Sequence, residues 1–63
     1  MERTRKTLAE LLGDALKCPR LSEWEERFVA DMQTRLDTLS GAHWVSDRQW
    51  VVLEEIEAKV YGT

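Results

Sequence analysis

The sequence predicts an all-α fold: a small three-helix domain with a central helix-loop-helix hairpin, about 22–39 and 47–60, and a short first helix, about 8–17. Three observations carry this. Apolar residues recur every three or four positions in each segment, the period of one helix face. A Ser or Thr followed three residues later by Glu or Gln stands before each segment, the signature in which two side chains satisfy each other's orphan amides. Pro19, Gly41 and Gly62 punctuate the segments where helices should stop.

In the first segment, Thr7-Leu8-Ala9-Glu10 forms the capping signature, and Leu8, Leu11, Leu12, Ala15 and Leu16 form the apolar stripe. Pro19 disfavours helical angles at Cys18 and stops the run near Lys17. Ser22-Glu23-Trp24-Glu25 opens the central helix, with Glu23, Glu25 and Glu26 where the helix dipole favours negative charge. Trp24, Phe28, Met32, Leu36 and Leu39, with Val29 beside them, are expected to face the core. Gly41 suits the left-handed position after a helix. Ser46-Asp47-Arg48-Gln49 opens the third helix, and Val45 and Trp50 stand at the hydrophobic-staple positions around that cap. Leu53, Ile56 and Val60 centre its buried face, Glu55 and Lys59 make an i,i+4 pair, and Gly62 closes it.

A chain of 63 residues makes a single domain, 1–63, with residues 1–6 read as a basic arm. So short a chain buries only about 60% of its unfolded surface, too little to build a deep substrate cleft. There is no run of about 20 apolar residues to span a membrane. The charged start of the chain is unlike a signal peptide, so a cytoplasmic location is expected. Cys18 is the single cysteine, which excludes an internal disulfide and reads as a small, partly buried hydrophobe. With one Cys and one His, the ligand set of a structural zinc site is missing. Neither a nucleophile–base grouping nor a Gly-rich phosphate loop is visible, so neither an enzyme nor a cofactor is expected.

Charge is uneven along the chain. Residues 1–20 carry five basic and three acidic side chains, residues 21–45 two and five, and residues 46–63 two and four, for a net −3. An acidic body disfavours direct contact with nucleic acid, which rests on Lys and Arg, and suits a basic protein surface. The three tryptophans are of the residue type enriched at interface hot spots. Trp24 is assigned to the core, whereas Trp44 and Trp50 fit either a core lid or an interface. Val51 projects about 160° from Leu53 on the helical wheel. The candidate partner-binding set is therefore His43, Trp44, Trp50, Val51, Glu54 and Glu55, an apolar centre rimmed by carboxylates. The arm Arg3, Arg5 and Lys6 is the rival surface. An alternative reading is a small DNA-binding helix-turn-helix-like regulator, with Arg48 and Gln49 reading base edges. Against it stand a connector of roughly six residues, where that motif uses about three or four, and Glu54, Glu55 and Glu57 on the would-be recognition helix.

The run Leu21-Ser22-Glu23-Trp24-Glu25-Glu26-Arg27-Phe28-Val29, together with Trp50 through Tyr61, resembles a pattern in short bacteriophage proteins. That pattern is an LS-x-W/E-E-x-x-F helix, a loop, and then S-x-x-Q-x-x-x-L-x-x-I-x-x-K-V. The chain is similar, over residues 21–61, to small regulators of host RNA polymerase of the kind encoded by a lytic Xanthomonas phage. The resemblance implies a cytoplasmic phage factor that binds the host polymerase, inhibits host transcription initiation and permits terminator read-through. It assigns no catalytic residue.

Overall fold

The computed structural model describes residues 2–62, and Met1 and Thr63 lie outside the described part. It contains three helices, α1 (Arg5–Ala15), α2 (Glu23–Thr38) and α3 (Asp47–Tyr61), with no strand among the described residues. The all-α, three-helix fold is the expected one.

Two of the three caps form as the sequence spacing implies. The Ser22 hydroxyl accepts the Glu25 amide at 3.2 Å, and the Glu25 carboxylate accepts the Ser22 amide at 2.9 Å. Ser46 and Gln49 repeat this at 3.1 and 2.9 Å. The first cap differs. Thr4, not Thr7, caps α1, and Thr7 serves as its reciprocal partner: the Thr4 hydroxyl accepts the Thr7 amide at 3.2 Å. A hydroxyl can stand in for the Glu or Gln of the signature because it also accepts a backbone amide, here that of Thr4 at 3.3 Å. The helix therefore starts three residues before the expected position and finishes at Ala15 rather than Lys17. Leu16, expected in its stripe, lies just past the end and is 59% exposed.

The core is one cluster. Leu8, Leu11, Leu12 and Ala15 come from α1, Val29, Met32 and Leu36 from α2, and Trp50, Leu53 and Ile56 from α3. Leu21 and Val45, each just ahead of a cap, complete it. The closest backbone approaches run from α1 to α2 and from α1 to α3, so the short first helix is the one packed between two neighbours. Polar contacts fix the directions. Arg5, at the start of α1, donates to the Leu36 and Leu39 carbonyls at 2.8 and 3.1 Å and so closes the end of α2. Lys59, near the end of α3, reaches Glu25 at the start of α2 at 2.7 Å. The Tyr61 hydroxyl donates to Asp14 at 2.6 Å, joining the ends of α1 and α3. Hence α2 runs against both other helices, and the α2–α3 pair is antiparallel.

Residues 2–6, the described part of the expected basic arm, are tied to this body. Arg5 is in α1, and Arg3 pairs with Asp47 at 3.0 Å while its guanidinium lies 5.7 Å from the Trp50 ring centroid. Trp24 departs from expectation. It is 61% exposed, while Glu25 takes the core position in phase with Val29, Met32 and Leu36. Phe28 is half-buried, packed on the core from outside, and Leu39 is 41% exposed because it lies past the last turn in extended conformation.

These placements separate two substitutions. Leu12→Ala removes a fully buried side chain and should cost about 2–5 kcal/mol, enough to unfold much of so small a domain. Trp24→Ala should cost well under half of that, since its ring is mostly in water. Thermal unfolding followed by circular dichroism checks both, and equal losses would contradict the assigned core.

Candidate functional site

The six candidate residues do not form one surface. His43 is exposed in the loop between α2 and α3. Gly41, at φ 67°, turns that loop, and the Trp44 indole N–H donates to the Gly41 carbonyl at 3.0 Å. Trp44 is thereby held half-buried against the core. Trp50 is 3% exposed. It belongs to the core and is withdrawn from the contact set, because its position on α3 lies in phase with Leu53 and Ile56. Val51, 52% exposed, points to the opposite side with the exposed Glu54 and Glu55 three and four residues on. These three residues share the outer side of α3, and of the aromatics in the set only Trp44 retains partial access.

The most exposed aromatic is one assigned to the core from sequence. Trp24 stacks on Phe28 with centroids 5.5 Å apart and planes 15° from parallel. The pair sits in the first turns of α2. Lys59 marks the side of α3 that meets α2, and Val52, seven residues earlier, lies on that same side and is half-buried. Phe28 and Val52 are each packed partly buried against the core, while Trp24 stays mostly exposed. The available signal was the phase of Glu25 with Val29, Met32 and Leu36, which displaces Trp24 by about 100° from the buried face.

Glu25 is the one charged residue buried among the described residues, at 7% exposure. The hydrogen bond from Lys59, followed by that from the Ser22 amide, holds its carboxyl below the ordinary value of 4.5, against a smaller opposing effect of burial. Tyr61 shifts the other way. Its hydrogen bond to Asp14, then partial desolvation and the neighbouring negative charges, push its hydroxyl from 10.0 up to about 12. Among the described residues no cluster of three or more His, Cys, Asp or Glu could hold a metal ion, and no helix is long and apolar enough to cross a membrane.

Comparison with protein-family models, with characterised proteins and with solved structures finds no match to this chain.

Two titrations follow from these shifts. A carboxyl whose pKa falls on folding stabilises the fold fully above its unfolded value, near 4.5, and that stabilisation is lost as pH drops through the folded value. Glu25→Gln should therefore lower stability at neutral pH by about 1–3 kcal/mol, with the gap to the parent closing in acid. A gap unchanged between neutral pH and pH well below 4.5 would show that the charge of Glu25 contributes nothing. Tyr61 is the single tyrosine, so its ionisation is read directly from ultraviolet absorbance. Its midpoint should lie near 12 in the parent and move back toward 10.0 in Asp14→Asn.

Proposed function

We propose that this chain is a non-catalytic regulatory protein that binds bacterial RNA polymerase in the cytoplasm, inhibits host transcription initiation and permits terminator read-through. The observation that carries a binding role is the Trp24–Phe28 stack. A tryptophan 61% exposed gains little for the fold, and tryptophan is the side chain most enriched where binding energy concentrates. The outer side of α3 adds Val51 flanked by Glu54 and Glu55, an apolar point with acidic neighbours that complements a basic partner surface. His43 and the accessible edge of Trp44 border the start of that helix. The choice of polymerase as partner comes from the resemblance over residues 21–61 to small phage regulators, and the net charge of −3 supports a protein rather than a nucleic-acid target.

The DNA-binding alternative gains no support from the geometry. Leu39–Ser46 between α2 and α3 is longer than a helix-turn-helix turn, and Arg3 of the basic arm is engaged with Asp47 and Trp50.

Affinity capture from a bacterial lysate, with the bound proteins identified by mass spectrometry, tests the reading. Polymerase subunits should be recovered with the parent. Their yield should drop about tenfold or more with Trp24→Ala or Val51→Asp, each first shown to melt like the parent. Recovery of a different complex without polymerase subunits, or tight and steeply salt-dependent retention on duplex DNA, would replace the proposal.

A further inference from the structure

The end of the bundle where α1 and α3 finish holds an open cavity of about 630 Å³, within the size range of small-molecule sites. Three cations line it, Lys17, Arg20 and Lys59, although acidic residues outnumber basic ones in the chain by 12 to 9. Elsewhere the cations are mostly engaged: Arg3, Arg27 and Arg35 pair with carboxylates, and Arg5 closes α2. Lys59 in the cavity is held by Glu25. Lys17 and Arg20 are different. Neither side chain makes a hydrogen bond or ion pair with any described residue.

A cation near a helix C-terminus is ordinarily explained by the terminal carbonyls it satisfies. Arg5 does this for α2, donating to two of them. Lys17 and Arg20 bond no carbonyl of a described residue, so what they bring to these helix ends is charge alone, with their donors left for another acceptor. The guanidinium of Arg20 instead lies over Gly62, with Nη1 4.0 Å from the point a Cβ there would occupy. The single carboxylate among the described residues lining the cavity, Asp14, accepts the Tyr61 hydroxyl. The remaining walls, Pro19, Val60 and the Tyr61 ring, are largely apolar. Two cations with no partner among the described residues, beside an apolar wall, match a doubly charged phosphate group carried on an organic body. Arg offers paired donors to its oxygens, and Lys adds a point charge.

We infer that the cavity between the α1–α2 corner and the end of α3 binds a small phosphate monoester through Lys17 and Arg20. This site is separate from the Trp24–Phe28 stack and does not depend on the polymerase reading.

The test uses adenosine monophosphate as probe, with adenosine as the uncharged control, followed by calorimetry and by the ring resonances of Tyr61. The monophosphate should bind with a dissociation constant below about 1 mM, more weakly at high salt, and adenosine should not. The double variant Lys17→Ala, Arg20→Ala should lose about tenfold or more in affinity while melting like the parent. Asp14→Asn, which removes the one carboxylate of the described lining, should bind more tightly, an effect opposite in sign to general damage at this end of the fold. Absence of saturation by the monophosphate, or equal binding by the double variant, overturns the inference. Equal affinity for adenosine does the same.

Discussion

With only three helices and no second layer among the described residues, each apolar face must be covered by the other two helices. That constraint falls hardest on α1, which approaches both α2 and α3 closely. Leu8 and Leu12 are fully buried, and Leu11 and Ala15 nearly so, which gives α1 a stripe wide enough to meet two partners. The polar contacts are arranged around that stripe. Arg3–Asp47 and Tyr61–Asp14 join side chains that are largely in water, and such contacts add at most about 1 kcal/mol each. They mark the register of the helices, whereas the leucines determine that there is one to mark.

Where helices begin was legible because capping is local chemistry. Ser22 with Glu25, and Ser46 with Gln49, lie within four residues of each other, and no distant partner is needed to form them. The same locality explains the error at α1. Two threonines three residues apart, Thr4 and Thr7, offer two competing starts, and Thr7-Leu8-Ala9-Glu10 matches the sequence signature better. The earlier start prevails in the structure because it puts Arg5 inside the helix, where its side chain reaches the last carbonyls of α2. That interaction spans more than 30 residues and has no trace in the sequence.

The candidate surface was legible only where one helix decides it. The outward direction of Val51, Glu54 and Glu55 follows from the period of α3 alone, and the structure keeps them outside. Trp50 was placed in the contact set although it lies in phase with Leu53 and Ile56, and both it and Val45, at the staple positions, are buried. Trp44 could not be placed from spacing, because it lies in a loop whose path depends on the left-handed turn at Gly41 and on its own bond to that carbonyl. Trp24 was misplaced for a different reason. Hydrophobicity alone prefers a tryptophan to a glutamate at a core position, and the lysine that makes a buried glutamate tolerable belongs to another helix.

Exposure of Trp24 and burial of Glu25 are therefore one fact. The two residues are neighbours at the start of α2, about 100° apart on its surface, so rotating the helix to bury the ring would turn the carboxylate out. That rotation would break the Lys59 bond at 2.7 Å and carry Val29, Met32 and Leu36 out of phase with α1. Against all this the fold would gain the burial of a single ring, worth about 1.5–3 kcal/mol. The losses comprise a charge-assisted hydrogen bond and three core side chains, and they exceed it. The ring is left in water by the same interactions that hold α2 to α3, and Phe28, one turn on, is the partner that the helix itself can supply. An aromatic surface held outside in this way is accessible without any rearrangement of the core.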